Sequence, residues 1–329
     1  MRKFLSWLRG SGGAAPVAPP ALPALMPGDL DDLLISGADL PMIDWDAVDS
    51  RAERIEGGDH ARDLWRRAIA AAWLDRLANE LETPHVRWRT ANVEGLAPRD
   101  EDLGRSIPRV AEAAFVRIHE ALGDTWDGHP IAPVAVVAMS TQTDYYTLKA
   151  SSFDLEGEFA ASGGCYLDRP FPIVLLPTVA RWAVDSTIAH ELTHHALKVL
   201  SLPLWAEEGL TQMMEERVTR HTSFRVDRKT VDRHIAHWST RGMHAFWSGE
   251  AFSSAEEDDQ ELAYHLAEIL ARRMLADRPR EYLAFLKQCD REDHGADAAH
   301  RRLGMTLGQL AAGSLGPGNW EPQTNDDHR

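Results

Sequence analysis

Residues 190–194 read His-Glu-Leu-Thr-His, and this pattern constrains the chain more than any other. The stretch is flanked by apolar residues that predict a helix over 180–200. In such a helix His190 and His194 lie about one turn apart, so both imidazoles leave the same face. Two imidazoles placed in this way can share one tetrahedral metal ion.

Glu191 points about 100° away from His190 around the helix, which places it beside such an ion. There it can hold a metal-activated water and accept its proton. The pattern alone is moderately specific, and the alternative is a pair of histidines capped by carbonyls or solvent on a helix face. Burying two imidazoles and a carboxylate costs free energy unless they are paired, so metal binding would satisfy all three groups.

A second stretch, LWAEEGL, follows at 204–210. Pro203 and the short loop after Leu200 let the chain reverse, so the new helix can run back past the first. A carboxylate near its start then completes a site with two histidines, one glutamate and an open fourth position, which is typical of hydrolytic zinc. Only one of two adjacent helical side chains can face the ion, and we expect Glu208, with Glu207 as the fallback.

The two motifs, HELTH and WAEEGL, together resemble those of the gluzincin metallopeptidases, which include thermolysin-like and aminopeptidase-N-like proteins. The resemblance covers about 175–216 and, because the motifs are closely spaced, is nearest to the small uncharacterised peptidase-like members. It implies a Zn²⁺ site with Glu191 as general base and three ligands: His190, His194 and Glu208.

The resemblance also gives roles to two other parts of the chain. A sheet-edge strand binds an extended substrate by strand addition, and Ile173–Leu176 is the predicted edge strand because Pro170 and Pro172 cannot donate to a ladder. A tyrosine on a later helix donates to the oxyanion in aminopeptidase-like members, and Tyr264 is the matching residue, with His265 as the backup. Packing of Tyr264 in an amphipathic core is an equal alternative.

The order of elements predicts an α+β, zincin-like fold, in which an N-terminal lobe with a mixed sheet and the active-site helix precedes a helical C-terminal lobe. The predicted strands are 85–93, 131–139, 144–149 and 173–176. The predicted helices are 60–81, 108–122, 180–200, 205–218, 228–238, 258–276, 279–288 and 295–312. The predicted domain organisation is a flexible tail (1–29), one catalytic domain (30–315, with lobes 30–200 and 201–315) and a second flexible tail (316–329).

Composition limits the partners. A formal net charge of −16 repels phosphate backbones, so we expect no nucleic acid. Cys165 and Cys289 lack CxxC spacing, which argues against a disulfide framework and a thiolate zinc site and favours a reducing compartment. The initial MRKFLSWLRG is too short for a usual signal peptide, and no apolar stretch reaches the roughly eighteen residues that a bilayer requires. We therefore expect a cytoplasmic protein without stable membrane insertion; the sequence does not constrain the oligomeric state.

Three functional hypotheses follow. The first is a zinc-dependent metallopeptidase that hydrolyses peptide bonds in a peptide or protein substrate, with Glu191 as general base. The second is a catalytically inactive zincin-like module that binds peptide or protein. The third is a helical interaction module in which the motif binds no metal. The presence of all three predicted metal ligands and of the general base Glu191 favours the first hypothesis.

Overall fold

The computed structural model describes residues 21–26, 28–122, 133–150, 163–220 and 226–322. Most of the predicted N-terminal tail lies outside the described residues, as does the end of the predicted C-terminal tail. The chain divides into two compact units. Among the described residues, no helix combines the length and the apolar character needed to cross a membrane.

The first unit contains the described residues up to 119 and from 133 to 195. Its sheet has five strands: β1 (His85–Arg89), β2 (Val93–Pro98), β3 (Val134–Met139), β4 (Cys165–Leu167) and β5 (Ile173–Pro177). Its helices are α1 (Trp45–Ala52), α2 (Gly58–Glu80), α3 (Glu101–Leu122) and α4 (Gln142–Ala150), followed by α5 (Val184–Leu197). Helix α3 ends in residues assigned to the second unit, and α5 likewise runs two residues past 195.

The strands are arranged in the order β1-β2-β3-β5-β4. The three central strands β2, β3 and β5 are parallel, while β1 and β4 pair antiparallel with their neighbours. Every residue of β3 is fully buried, as expected for a continuous apolar strand with both faces covered. Its alternate residues Ala135, Val137 and Met139 pack in one core cluster with side chains of α2 and α4.

The second unit is helical and contains the described residues 120–122 and 196–322. Its helices are α6 (Leu204–Thr219), α7 (Arg228–Arg241), α8 (His244–Trp247), α9 (Glu257–Asp277), α10 (Pro279–Leu286), α11 (Ala296–Ala298) and α12 (Leu307–Leu315). Large buried aromatic residues form much of its core, including Trp205, Trp247 and Phe285. The mixed sheet together with many helices confirms the predicted α+β class.

The predicted strand at 144–149 is wrong, because this stretch is helix α4. The Thr141 hydroxyl accepts a hydrogen bond from the Asp144 backbone N–H at 3.0 Å, so Thr141 caps the first turn of the helix. The side chains of Tyr145 and Leu148 are then buried on one helical face. The Thr141 cap and the three-residue spacing of the buried side chains therefore favour a helix over a strand in this stretch.

Two further boundaries differ from the sequence prediction. The predicted strand at 85–93 contains β1 and only the first residue of β2, and the two strands pair antiparallel. Helix α3 begins at Glu101, seven residues before Pro108, which lies inside the helix. The helical period predicts a start at Pro108, in keeping with the preference of proline for the first turn, but the helix extends further toward the N-terminus.

The predicted strand Ile173–Leu176 is confirmed as part of β5, but its predicted place at the edge of the sheet is wrong. Strand β5 lies between β3 and β4, and the edge of the sheet on this side is β4. Pro170 and Pro172 precede β5, so they remove no N–H group from Ile173 to Leu176. Cys165–Leu167 therefore occupies the place at which strand addition was expected.

The end of the chain is more structured than predicted. The predicted helix 295–312 is divided into α11, a π-helical turn at Ala299–Leu303 and α12, which begins with a capping box between Thr306 and Gln309. Trp320 is buried, and its backbone carbonyl accepts a hydrogen bond from the Trp247 indole at 2.7 Å. The described part of the predicted tail is therefore packed through Trp320.

Candidate metal centre

Two histidines lie on one face of helix α5. His190 and His194 are one turn apart, and their Nε2 atoms are separated by 3.2 Å. Their ring centroids are 4.9 Å apart with the ring planes at 71°. The helix confirms the geometric premise drawn from the spacing, since both rings direct the same nitrogen toward the same point.

Helix α6 carries the second motif, and its start is held by Trp205. This tryptophan is fully buried, its ring lies 5.2 Å from that of Trp247, and its indole N–H donates to the His294 carbonyl at 3.0 Å. Pro203 precedes the helix in an extended conformation and redirects the chain into it. The bulky residue of WAEEGL therefore fixes the helical turn from which Glu208 projects.

Gly209 allows helix α9 to approach α6 closely. A Cβ atom at Gly209 would lie 2.4 Å from the Ala267 carbonyl oxygen, closer than non-bonded atoms approach. The glycine next to Glu208 therefore has a packing role, in which two helix backbones come nearly into contact. This accounts for the second residue of the Glu-Gly pair.

The three predicted ligands come together. One ligand atom each of His190, His194 and Glu208 lies within 4.8 Å of the other two, and this group can hold a metal ion. Glu208 is 5% exposed, whereas the neighbouring Glu207 carboxylate lies 3.4 Å from the Arg291 guanidinium. Of the two adjacent glutamates, Glu208 is the one grouped with the histidines, and its role as a ligand stays a prediction.

Glu191 is buried in the first unit, where it contacts the chain that leads into β4. It is 7% exposed. A Cβ at Gly164 would lie 3.1 Å from Glu191 Oε1 and 2.5 Å from the Thr187 methyl carbon. Only a glycine leaves room for both side chains of α5, so Gly164 helps to set the position of the Glu191 carboxylate.

Cys165 lies next to this contact. Burial, and secondarily the negative charge of Glu191, raise the pKa of the Cys165 thiol to about 12. The thiol therefore stays protonated at neutral pH and does not compete as a thiolate ligand. This agrees with the sequence argument against a cysteine metal site.

His195, the residue after the second predicted ligand, is buried. It is 1% exposed, and its Nδ1 lies 3.3 Å from the hydroxyl of Tyr166 on β4. The Tyr166 hydroxyl in turn donates to the Asp168 carboxylate at 3.0 Å. This chain of hydrogen bonds ties the residue after His194 to the edge strand.

Tyr264 and His265 lie on α9 and are both half-buried. The Tyr264 ring packs edge-on against Phe252 at 5.1 Å, and the His265 ring lies 5.6 Å from that of the fully buried His234. Burial lowers the pKa of His265. The oxyanion roles of Tyr264 and His265 remain predictions.

Sequence reasoning overlooked the contributions of Gly164 and Tyr166. A glycine pair before a short strand, such as Gly163-Gly164, signals a close backbone approach as well as a loop. Helix α5 begins later than the predicted helix 180–200: Trp182 lies in a short 3₁₀ turn before α5 and is 88% exposed.

No protein-family model matches the chain, and the searches of curated proteins and of solved structures found no match. The resemblance to gluzincins therefore stays a prediction that rests on the two motifs.

Proposed function

We propose that the protein is a zinc-dependent metallopeptidase. The observation that carries the proposal is the convergence of His190, His194 and Glu208, with a second glutamate, Glu191, one residue after the first histidine. Two nitrogen ligands and one oxygen ligand leave a fourth tetrahedral position open, which distinguishes catalytic zinc sites from closed structural ones.

The distances between the ligand atoms support zinc. Two nitrogens bound to one tetrahedral zinc ion at about 2.0–2.1 Å lie about 3.3–3.4 Å apart. The Nε2 atoms of His190 and His194 are separated by 3.2 Å. The carboxylate of Glu208 lies within 4.8 Å of them, so a side-chain adjustment of at most about 1.5 Å brings an oxygen to bonding distance.

Each residue of the proposed site has a distinct task. His190, His194 and Glu208 would hold the ion, which supplies a Lewis acid and lowers the pKa of a water molecule. Glu191 would accept a proton from the attacking water and pass it to the leaving amine. Gly164 keeps space for that carboxylate beside Thr187. Tyr264 is proposed to donate a hydrogen bond to the oxyanion.

The metal is tested first, by elemental analysis of the purified wild-type protein and three variants. About one zinc per chain is expected in the wild type, with large losses in His190→Ala and Glu208→Gln. Glu207→Gln is the matched control and should keep the metal, because Glu207 pairs with Arg291. Wild-type protein without zinc after reconstitution would refute the proposed site.

Turnover is tested separately, with a peptide library and with Glu191→Gln. This variant should retain zinc and lose at least about 100-fold in kcat/KM, the usual contribution of a general base. A chelator should abolish cleavage by the wild type, and added zinc should restore it. Stoichiometric zinc without any cleavage would instead favour the zincin-like module that binds peptide.

A further inference from the structure

A second candidate site lies in the first unit, at the carboxyl edge of the parallel strands. A cavity of about 400 Å³ opens there. Its wall contains Arg99, Ser140 and Thr178, which directly follow β2, β3 and β5. Open α/β sheets bind ligands at this edge, and the volume is within the range of small-molecule sites.

Ser140 lies next to His85, whose ring is held by a hydrogen bond on its opposite side. The Ser140 hydroxyl oxygen lies 3.4 Å from His85 Nε2, and His85 Nδ1 lies 2.7 Å from the Thr83 backbone carbonyl oxygen. A carbonyl only accepts, so Nδ1 carries the proton and donates it. Nε2 of the neutral ring then presents its lone pair to the Ser140 hydroxyl.

Nucleophilic catalysis needs a hydroxyl that substrate can reach and a base protected behind it, and the burial of Ser140 and His85 fits this need. Ser140 lines the cavity, whereas His85 is 7% exposed behind it. A hydroxyl, an imidazole and a hydrogen-bond acceptor in this sequence form the general arrangement of an activated nucleophile, its base and the group that orients the base. The separation of 3.4 Å is long, and such contacts often tighten when substrate binds.

The backbone around Ser140 adds a second feature. Ser140 and Thr141 form the whole connection between the end of β3 and the start of α4, a strand-to-helix turn at the edge of the sheet. The first N–H groups of a helix have no acceptor within it and favour negative charge. Thr141 already accepts from the Asp144 N–H, and its hydroxyl donates to the Asp144 carboxylate at 2.7 Å. An oxyanion that forms beside Ser140 would therefore rely on the N–H groups of Gln142 and Thr143, in the manner of the nucleophile turn of α/β hydrolases.

The cavity also indicates the charge of its ligand. Arg181 Nη2 lies 2.7 Å from Asp100 Oδ2, and both residues line the cavity. Hydrogen bonds from Arg181 and from the backbone of α3 lower the pKa of Asp100 to about 2, so this carboxylate is ionised at neutral pH and balances the guanidinium. Arg99 also lines the cavity and leaves one net positive charge there, which favours an uncharged or anionic ligand over a cationic one.

We propose that Ser140 and His85 form an acyl-accepting site for small uncharged or anionic carboxylic esters. The Ser140 oxygen attacks the ester carbonyl carbon while His85 Nε2 takes the hydroxyl proton. The bond from the carbonyl carbon to the alkoxy oxygen breaks, and the alcohol leaves with that proton. Water then cleaves the acyl-serine ester, which releases the carboxylic acid and restores Ser140.

The test uses the full-length protein and an alkyl fluorophosphonate, which forms a serine oxygen–phosphorus bond and releases fluoride. Intact mass and peptide mapping should show one adduct, on Ser140. The adduct should be absent in Ser140→Ala and form at least about 100-fold more slowly in His85→Gln, the usual effect of losing a general base. Ser106→Ala is the matched control, because Ser106 donates to the Leu103 carbonyl instead of a histidine.

Labelling should be unchanged by a zinc chelator, so this result is independent of the metallopeptidase proposal. An unlabelled Ser140 in the wild type would overturn the inference, and so would equal labelling rates in wild type and folded His85→Gln. If His85→Gln does not fold by circular dichroism, peptide mapping of the wild type decides: modification of other serines as fast as Ser140 overturns the inference.

Discussion

Replacing Gly209 by alanine tests whether the close approach of two helices positions the proposed ligand Glu208. The new Cβ would lie 2.4 Å from the Ala267 carbonyl oxygen, whereas ordinary contact begins near 3.4 Å. The helices must therefore separate locally by about 1 Å, since both atoms belong to, or are fixed by, the helix backbone. Forcing such overpacking typically costs about 1–3 kcal/mol.

An opposing effect reduces this loss. Alanine in a helix interior is more favourable than glycine by about 0.5–1 kcal/mol, because glycine loses more backbone entropy on folding. The steric cost is the larger of the two, so Gly209→Ala should lower the free energy of unfolding by about 1–2 kcal/mol. It should also weaken zinc binding, because Glu208 shifts with its neighbour.

Gly313→Ala is the matched control in the same unit. Its Cβ would meet only the end of the Arg273 side chain, at 3.0 Å, and this flexible, partly exposed group can move. The control should be neutral or more stable by up to about 1 kcal/mol. Urea unfolding with excess chelator measures both variants without a contribution from bound metal. Equal stability of Gly209→Ala and Gly313→Ala would refute the packing argument.

Three further predictions concern groups near the proposed site or in the helical unit. Gly164→Ala should reduce peptidase turnover by about 100-fold with zinc retained, because displacing the Glu191 carboxylate by about 1 Å has an effect of that size. Gly163→Ala is the control and should retain activity, because its Cβ would lie at an ordinary contact distance of 3.5 Å from Thr187 Oγ1. Cys165 should react with iodoacetamide at pH 8 at least about 100-fold more slowly than a model thiol, because its pKa is raised. Glu191→Gln should increase the rate of this reaction. A wild-type rate equal to that of the model thiol would contradict the raised pKa of Cys165. Burial, assisted by His265, Arg233 and His237 against the opposing charge of Glu261, lowers the pKa of His234 to about 3. The folded state therefore binds fewer protons than the unfolded state between pH 6.5 and 3, and His234 should cost about 2 kcal/mol of stability at pH 5 relative to pH 7. His234→Gln, which can still accept the Trp238 hydrogen bond, should lose that part of the pH dependence, and an unchanged pH profile would exclude His234 as its source.

The proposed ligands could be predicted from sequence because they depend on local geometry. One turn of helix sets the spacing of His190 and His194, and a helix start after Pro203 places the glutamates. The choice between Glu207 and Glu208 also depends on a long-range contact. Arg291, more than eighty positions later, pairs with Glu207, and no local pattern indicates that.

The errors in the fold have a common physical cause. Tyrosine and threonine in 142–150 favour a strand intrinsically, but the Thr141 cap and burial of one helical face outweigh that preference. The place of β5 inside the sheet depends on pairing with β4, a short strand that periodicity cannot detect. Sequence patterns thus indicated which segments are apolar, while pairing partners decided where each segment lies.

Trp182 gives the molecule a built-in optical label. Among the described tryptophans, Trp182 is 88% exposed whereas Trp73, Trp205 and Trp247 are buried, so the emission of Trp182 should be red-shifted and quenched by aqueous iodide. Trp182 lies eight residues before His190 on the chain that enters α5. The emission that Trp182→Phe removes therefore reports on the segment leading into the candidate metal centre, without any dye.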